Sequence, residues 1–310
     1  MKEQITSRAF RMYSDANRIY QFLTDIYTRD WRTGVPAPFF EYQLYSTWSD
    51  KTYNYLNRIW FDEEKIVAFV FYDEGPFNWN FCLRPGYEHL AFEMVQYVKE
   101  EIPNFHGHEK QMVFQSGQEE FIQAAKKLGY EKVGEYTDLY YDFETKKPLD
   151  APLPEGFRFV PFEEVDFTKV AECFWKGFGH EAEKGPWKTD VSSYIVDQEW
   201  TVANQLKCVL SINEAEHLTR ELAVTIENEN GDYVCRAEMW WTKENQLAYL
   251  EPLCTVPEYQ KKGLAAAALS ELYRRTKKLG ATHMTGGADA FYKKMGFTKA
   301  HTWTFWKLKK

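Results

Sequence analysis

The chain has 310 residues, of which 44% are apolar and 17% aromatic, and this composition predicts a well-filled globular core and excludes an intrinsically disordered protein. A net charge of −8 argues against nucleic acid as the main partner. The longest apolar run, Ile66–Tyr72, is too short to cross a bilayer, and the first residues lack the pattern of a signal peptide. Five scattered cysteines without a C-x-x-C motif are typical of reduced thiols. We therefore expect a cytoplasmic protein without a membrane partner.

The first half of the chain predicts a strand, a helix and then a series of strands. The first strand is predicted at Ile5–Tyr13, and a helix from Asp15, a favourable N-cap residue, to about Tyr27. Runs rich in β-branched and aromatic residues predict four further strands, at Arg58–Phe61, Lys65–Tyr72, Trp79–Leu83 and Thr137–Phe143.

A proline-rich segment separates the two halves. Pro148, Pro152 and Pro154 lie between aromatic stretches and predict an extended linker. We therefore expect one domain at residues 1–147, a linker at 148–156 and a second domain at 157–310.

The second half repeats the order of elements seen in the first. A strand is predicted at Phe157–Val160 and a helix at Asp166–Phe178. Strands are then predicted at Glu221–Glu227, Tyr233–Thr242, Gln246–Val256 and His301–Trp306, with a hairpin turn at Asn230-Gly231.

Two local similarities connect the halves. Cys82–Tyr87 is similar to Cys254–Tyr259, and Ala125–Tyr130 is similar to Tyr292–Phe297. Because both similarities occur in the same order and context, we interpret the chain as a duplicated unit. The predicted fold class is α/β (α+β): two tandem domains, each a mixed, mainly antiparallel twisted sheet flanked by helices.

The segment Tyr259–Ala266 lies between an apolar strand and an amphipathic helix that ends near Leu279. A strand that turns through such a loop into a helix presents free backbone N–H groups at the positive end of the helix, which suits a pyrophosphate. Gly263 lets the backbone approach phosphate oxygens, and Lys261 and Lys262 add positive charge. Residues 251–310 are basic while the rest of the chain is acidic, so we expect an anionic ligand here and leave open a cationic one facing the remainder. An ordinary packing helix that stops at Gly280 explains the same pattern, and both interpretations hold together.

Three ordered features of the second half resemble the GNAT superfamily of acyl-CoA N-acyltransferases. Gln260-x-x-Gly263-x-Ala265 matches the family's acyl-CoA signature, Gln/Arg-x-x-Gly-x-Gly/Ala. Val256-Pro257 matches the lead-in that closes the preceding strand. Phe291-Tyr292-x-x-Met295-Gly296-Phe297 matches the family's aromatic-Tyr-x-x-x-Gly-Phe pattern. The resemblance implies a GNAT fold, acetyl-CoA as co-substrate without a metal ion, and transfer of an acetyl group to a primary amine by direct attack.

The resemblance also implies roles for individual residues. Tyr292 matches the general acid that protonates the departing CoA thiolate, with packing as the alternative. Glu251 is the candidate general base and Glu238 its rival, and either also fits a solvent-facing strand residue. No histidine is clearly placed to activate Cys254, so we interpret it as a small core residue that offers backbone contacts. The implied cofactor-binding set is Cys254, Thr255, Val256, Gln260, Lys261, Lys262, Gly263, Leu264, Ala265, Ala266, Thr285 (where the family often has Asn) and Ala288.

The first half departs from this pattern at the positions that matter. Glu88, Ala91 and Glu93 stand where the second half has Gln260, Gly263 and Ala265, and Ala125 stands in place of Tyr292. Two carboxylates would repel a phosphate, so we expect only the second half to bind acyl-CoA.

Several functional questions stay open at this level. The acceptor is a small-molecule or peptide amine of unspecified identity, and the oligomeric state is not predicted. A non-catalytic acyl-CoA-binding protein is the alternative function. The histidines form no recognisable ligand set, since His106-x-His108 alone is a weak pattern, and we predict no metal site.

Overall fold

A computed structural model describes residues 5–105, 109–180 and 201–309 of the chain. The elements of the first half are β1 (Ile5–Ala9), α1 (Met12–Ile26), α2 (Ala37–Tyr45), β2 (Arg58–Asp62), β3 (Lys65–Asp73), β4 (Asn78–Leu83), α3 (Ala91–Glu100), β5 (Gln111–Gln115), α4 (Glu119–Lys127) and β6 (Tyr130–Asp142). Those of the second half are β7 (Phe157–Val160), α5 (Phe167–Gly177), α6 (Val202–Ile212), β8 (Ala223–Asn228), β9 (Tyr233–Thr242), β10 (Leu247–Thr255), α7 (Leu264–Leu279), β11 (His283–Gly286), α8 (Ala290–Lys294) and β12 (Thr298–Leu308).

Among the described residues, the α-helices and strands of the two halves follow the same order. Each has a strand, two helices, three strands, a helix, a strand, a helix and a final long strand. The two sequence similarities fall on matching elements: the first at the ends of β4 and β10, the second across the α4–β6 and α8–β12 junctions. This correspondence agrees with the duplication predicted from the sequence.

The compact units of the structure are not simply the two halves of the chain. The first unit takes residues up to Leu44, Trp48–Asp138 and the segment from Lys299, while the second takes Tyr45–Thr47 and Leu139–Thr298. The domains predicted from the sequence, residues 1–147 and 157–310, stay a prediction. The compact units have different bounds, because residues 139–147 belong to the second unit and residues from 299 belong to the first.

The final strands of the two halves exchange places. In the first unit the strand order is β1-β2-β3-β4-β5-β12, antiparallel except for the parallel pair β4–β5. In the second unit the order is β7-β8-β9-β10-β11-β6, antiparallel except for the parallel pair β10–β11. The first unit thus completes its sheet with β12, and the second with Leu139–Asp142 of β6, while the earlier part of β6, Tyr130–Asp138, belongs to the first unit.

Helices cover both faces of the second unit's sheet. α7 buries Leu264, Leu269 and Leu272 in a core with strand residues such as Met239 and Leu250. A separate core joins α5 and α6 with Cys254 and Val256 at the end of β10. These two layers fix β10, and with it the start of α7, in place.

Two predictions for the first element pair were wrong. The first strand ends at Ala9, and the helix begins at Met12 rather than after an Asp15 N-cap. Asp15 is fully buried, and its carboxylate accepts hydrogen bonds from the Arg8 guanidinium at 2.6 and 2.7 Å and from the Arg11 N–H at 2.8 Å. An ion pair with the partly exposed Arg8 thus uses the side chain that would otherwise suit a cap.

Most second-half predictions are confirmed. The strand Phe157–Val160 is found as predicted, and Asp166 caps α5 by accepting from the backbone N–H groups of Thr168 and Lys169. α7 ends at Leu279 with Gly280 in the left-handed conformation.

Within the described ranges, no helix has both the length and the apolar character that a membrane span requires.

Candidate active site

A gap opens between the two parallel strands of the second unit. β10 and β11 pair only at Leu247–His283 and Ala248–Met284. The next link uses a side chain, because the N–H of Leu250 donates to the Thr285 hydroxyl at 2.8 Å. From Leu250 to Leu253, β10 also bulges against β9. The strands therefore separate at this point, and a bulge there re-aims the backbone groups of β10.

An exposed loop with two left-handed residues leads from β10 into α7. Lys261 has a φ of 62° and Gly263 a φ of 91°, and no side chain caps the first turn of α7. Gln260, Lys261, Lys262 and Gly263 are all exposed. The N–H groups that begin α7 are thus open to an anion at the positive end of a 16-residue helix.

The surroundings of this loop hold it in shape. The Gln260 side-chain amide donates to the Thr255 carbonyl at 3.3 Å. The Lys262 ammonium lies 4.6 Å from the centre of the Tyr259 ring. Within the predicted set, Leu264 is buried, while Ala265 and Ala266 are half-buried on the first turn of the helix.

Tyr292 lies on α8, the helix that follows β11 and therefore comes just after the point where β10 and β11 separate. Its ring makes edge contacts with Phe291 and Phe297, each at a centroid distance of 5.2 Å, and its side chain is half-buried. Thr285 is buried at the end of β11, and Ala288 is exposed in the loop before α8.

The two candidate bases have different environments. Glu251 lies in the β10 bulge and is half-buried, and its carbonyl accepts from the Trp240 indole at 3.1 Å. Glu238 is 5% exposed and is held by the guanidinium of Arg236, with Nε–Oε1 and Nη2–Oε1 distances of 2.7 and 2.6 Å. Arg236 also donates to the Thr225 hydroxyl. The Glu238 carboxylate is therefore part of an internal ion pair with Arg236.

Sequence reasoning missed Arg236. The signal was available, because Arg236 and Glu238 are two residues apart on an apolar strand and so share one face of the sheet. A charged pair at that spacing within a buried strand indicates an internal ion pair.

Cys254 is surrounded by the core. Its sulfur lies 3.9 Å from the Cys173 sulfur, and burial raises the pKa of the Cys254 thiol well above its usual value. Burial likewise raises the pKa of the neighbouring Cys235 to about 12. A thiol in such a site forms little thiolate near neutral pH, which fits a packing residue rather than a nucleophile. Beside it, Thr255 is half-buried and Val256 is buried.

In the first half, the region that corresponds to the candidate site is occupied by side chains of the protein itself. The Glu88 carboxylate accepts from the Gly86 N–H at 2.9 Å, and Glu93 accepts from the Trp60 indole at 2.7 Å. Gln118, seven residues before Ala125 as Thr285 is before Tyr292, donates to the Phe81 carbonyl at 2.9 Å. Its own carbonyl accepts from the Gln115 N–H at 2.9 Å, so this buried side chain bridges β4 and β5.

In the described part of the chain, no three His, Cys, Asp or Glu side chains are grouped as a metal site would require. His106 and His108 lie outside the described residues.

Comparison with known proteins finds a family model for part of the second half of the chain. Residues 220–299 match the family model of the acetyltransferase (GNAT) domain, about a quarter of the chain. A comparison of the sequence with curated proteins finds no significant match.

Solved structures resemble the chain over nearly its whole length. One is a GCN5-related N-acetyltransferase from Sphaerobacter thermophilus, with a TM-score of 0.59 and 14% identity over 100% of this chain and 98% of that one. Another is a GNAT-family acetyltransferase from Colwellia psychrerythraea, with a TM-score of 0.57 and 12% identity over 98% and 100%. A third is a tandem GNAT protein from the clavulanic acid biosynthesis pathway, with a TM-score of 0.56 and 12% identity over 99% of each chain. At these identities the likeness establishes the fold.

Proposed function

We propose that this protein, whose residues 220–299 are a GNAT acetyltransferase domain, transfers an acetyl group from acetyl-CoA to a primary amine. The observation that carries the proposal is that one continuous segment, from β10 to the start of α7, combines two features that suit CoA. β10 separates from β11, bulges, and leads through a short 3-10 turn and an exposed loop with two lysines to the uncapped start of α7. A gap for an extended arm next to an anion site suits the pantetheine and pyrophosphate of CoA.

In this proposal, different residues of the second unit bind the cofactor, polarise the thioester and transfer protons. Backbone N–H groups of α7 and the charges of Lys261 and Lys262 would hold the pyrophosphate. Backbone groups near Cys254 would hold the pantetheine arm and polarise the thioester carbonyl. Glu251, half-buried in the bulge, would accept the proton of the attacking ammonium, and Tyr292 would protonate the CoA thiolate.

The first half has a supporting role in this proposal. Its candidate cleft already contains the Gln118 side chain, and its loop N–H at Gly86 already binds the Glu88 carboxylate. These internal partners replace those that a cofactor would supply. We infer that one acetyl-CoA binds per chain, at the second unit.

The acceptor is proposed only by class, as a small-molecule or peptide amine. The second candidate function is acyl-CoA binding without turnover. It is favoured by the internal ion pair that occupies Glu238 and by the use of the Thr285 hydroxyl within the sheet. Turnover of any amine decides between the two.

The test compares Gly263→Asp with Gly263→Asn. Both side chains tolerate the φ of 91° to a similar extent, so the two variants differ mainly in charge. A carboxylate about 5 Å from a phosphate charge costs about 1 to 3 kcal/mol for an effective dielectric between 80 and 20. Calorimetric titration should therefore show about 5- to 150-fold weaker acetyl-CoA binding for Asp than for Asn.

Gly86→Asp is the matched control, because Gly86 has a φ of 94° in the corresponding loop of the first half. It should leave acetyl-CoA affinity unchanged. Equal affinities of the two Gly263 variants would contradict the proposed site. Tight binding with no CoA release across a panel of amines would favour the binding protein.

A further inference from the structure

The ring of Tyr292 rests against two consecutive glycines. A Cβ atom built on Gly286 would lie 2.8 Å from Tyr292 Cδ1, and one built on Gly287 would lie 3.1 Å from Tyr292 Cε2. Real Cβ atoms essentially never show the shorter distance, and the longer one is tighter than nine in ten of their contacts, so a side chain at either position would require the ring to move. The glycine pair follows the strand residue Thr285, at the point where β10 and β11 separate.

Backbone conformation does not explain these glycines. Neither Gly286 nor Gly287 lies in the left-handed region, unlike Gly263, Gly280 and Gly296. Alanine would therefore fit the backbone at both positions. The obstacle is aromatic packing: at Gly286 the rings of Phe297 and Tyr292 both lie 2.8 Å from the built Cβ, and at Gly287 the Tyr292 ring would have to give by a few tenths of an ångström.

Two further aromatic rings contact the Tyr292 ring. Phe291 and Phe297 contact it edge-on with interplanar angles of 66° and 64°. Phe297 is 4% exposed and belongs to the core, so it holds a fixed position. The ring can therefore lie as it does only because the chain beneath it carries no side chains.

We infer that Gly286 and Gly287 are positioning residues that place the Tyr292 hydroxyl for proton transfer to the departing thiolate. This inference rests on the proposed function. A phenol transfers a proton efficiently only within hydrogen-bond reach of its partner. Because both glycines lack a side chain, the ring lies against the end of β11, beside the gap between the strands, and a side chain at either position would displace it.

Gly287 gives the cleaner test. The three heavy atoms nearest to its Cβ all belong to Tyr292, whereas a Cβ on Gly286 would also lie 2.8 Å from the core ring of Phe297. Gly287→Ala should displace the Tyr292 ring by a few tenths of an ångström and lower kcat about 3- to 10-fold, given that about 1 Å of misplacement costs about 100-fold. Acetyl-CoA affinity should stay within about twofold.

The decisive readout does not require turnover. In protein labelled with 13C at the tyrosine ζ position, the resonance lost in Tyr292→Phe identifies Tyr292. Saturation with CoA should shift that resonance in the wild type, and Gly287→Ala should change the size of the shift while calorimetry shows CoA binding preserved. Gly134→Ala is the control, because its Cβ would make an ordinary 3.8 Å contact with Phe305 and its backbone is also outside the left-handed region.

Turnover gives a second criterion. In the Tyr292→Phe background Gly287→Ala should have no further effect on kcat, because no hydroxyl remains to be misplaced. Equal fold losses in both backgrounds, or an unchanged CoA-induced shift in Gly287→Ala, would overturn the positioning role and leave the proposed function standing. Failure of the wild type to bind CoA would overturn both.

Discussion

The buried pair of Arg236 and Glu238 gives a prediction whose size follows from its geometry. The two side chains are 1% and 6% exposed, and their closest N–O distance is 2.6 Å. Replacing Arg236 with Met leaves a carboxylate that has lost its charged partner and has almost no access to water. Breaking a buried pair in this way costs about 3 to 5 kcal/mol. We expect Arg236→Met to destabilise the second unit by that amount.

Removing both charges should have a much smaller effect. A buried ion pair replaced by apolar side chains of similar volume is often neutral, within about 1 kcal/mol, or stabilising. The double variant Arg236→Met/Glu238→Met should therefore be far more stable than the sum of the single losses predicts. Lys132→Met is the control, because its ion pair with Glu135 has a similar distance of 2.9 Å but exposures of 46% and 55%. Exposed pairs contribute about 0 to 1 kcal/mol.

The assay is native-state hydrogen exchange read on peptides from β8 to β10, because it reports the opening of the second unit separately. Protection should fall in Arg236→Met and return in the double variant. A loss no larger than that of Lys132→Met, or single losses that simply add in the double variant, would refute the reasoning. The folded double variant also tests the general base: CoA release that persists without Glu238 would leave Glu251 as the candidate.

Three further outcomes are expected. Tyr292→Phe should lower kcat about 100- to 10,000-fold with acetyl-CoA affinity unchanged, and equal losses of turnover and affinity would mark a packing residue instead. Burial raises the pKa of Asp73 to about 7, so the folded state holds this proton more tightly than the unfolded state, in which Asp titrates near 3.9. Stability should therefore fall as the pH rises from about 4 to 7 in the wild type relative to Asp73→Asn, and parallel profiles in urea titrations would contradict this. Because burial raises the pKa of Cys235 and Cys254, a thiol reagent at pH 8 should label them far more slowly in native than in unfolded protein, and rapid native labelling of Cys254 would contradict the assignment.

Local patterns in the sequence were sufficient to predict most elements of the fold. Alternating and apolar runs predicted β7 and β9 at their observed bounds, and the end of α7 at Gly280 was expected from the turn chemistry. The loop at Gln260–Gly263 was predicted because a strand, a glycine and a helix are adjacent in the chain. These features depend on short-range interactions, and so a single sequence contains the information.

Features that depend on long-range pairing were not predictable. β6 and β12 have equivalent positions in the repeat, so nothing local decides which of them pairs with β5 and which with β11. The N-cap assigned to Asp15 failed for a related reason, since its partner Arg8 lies on the preceding strand. The fit of Tyr292 against Gly287 likewise depends on side-chain packing that no spacing rule describes.

The exchange of β6 and β12 has a consequence for how the chain is made. The sheet of the first unit is incomplete until residues 299–308 have been synthesised. The edge of β5 that pairs with β12 therefore lacks this partner while the second half is translated. The second unit has no such delay, because its borrowed strand, Leu139–Asp142, precedes it. During synthesis the candidate catalytic unit can therefore close first, and the half with the filled cleft closes last. An open edge is a template for wrong pairing, so expressing either half as a separate protein would favour aggregation through β5 or β11.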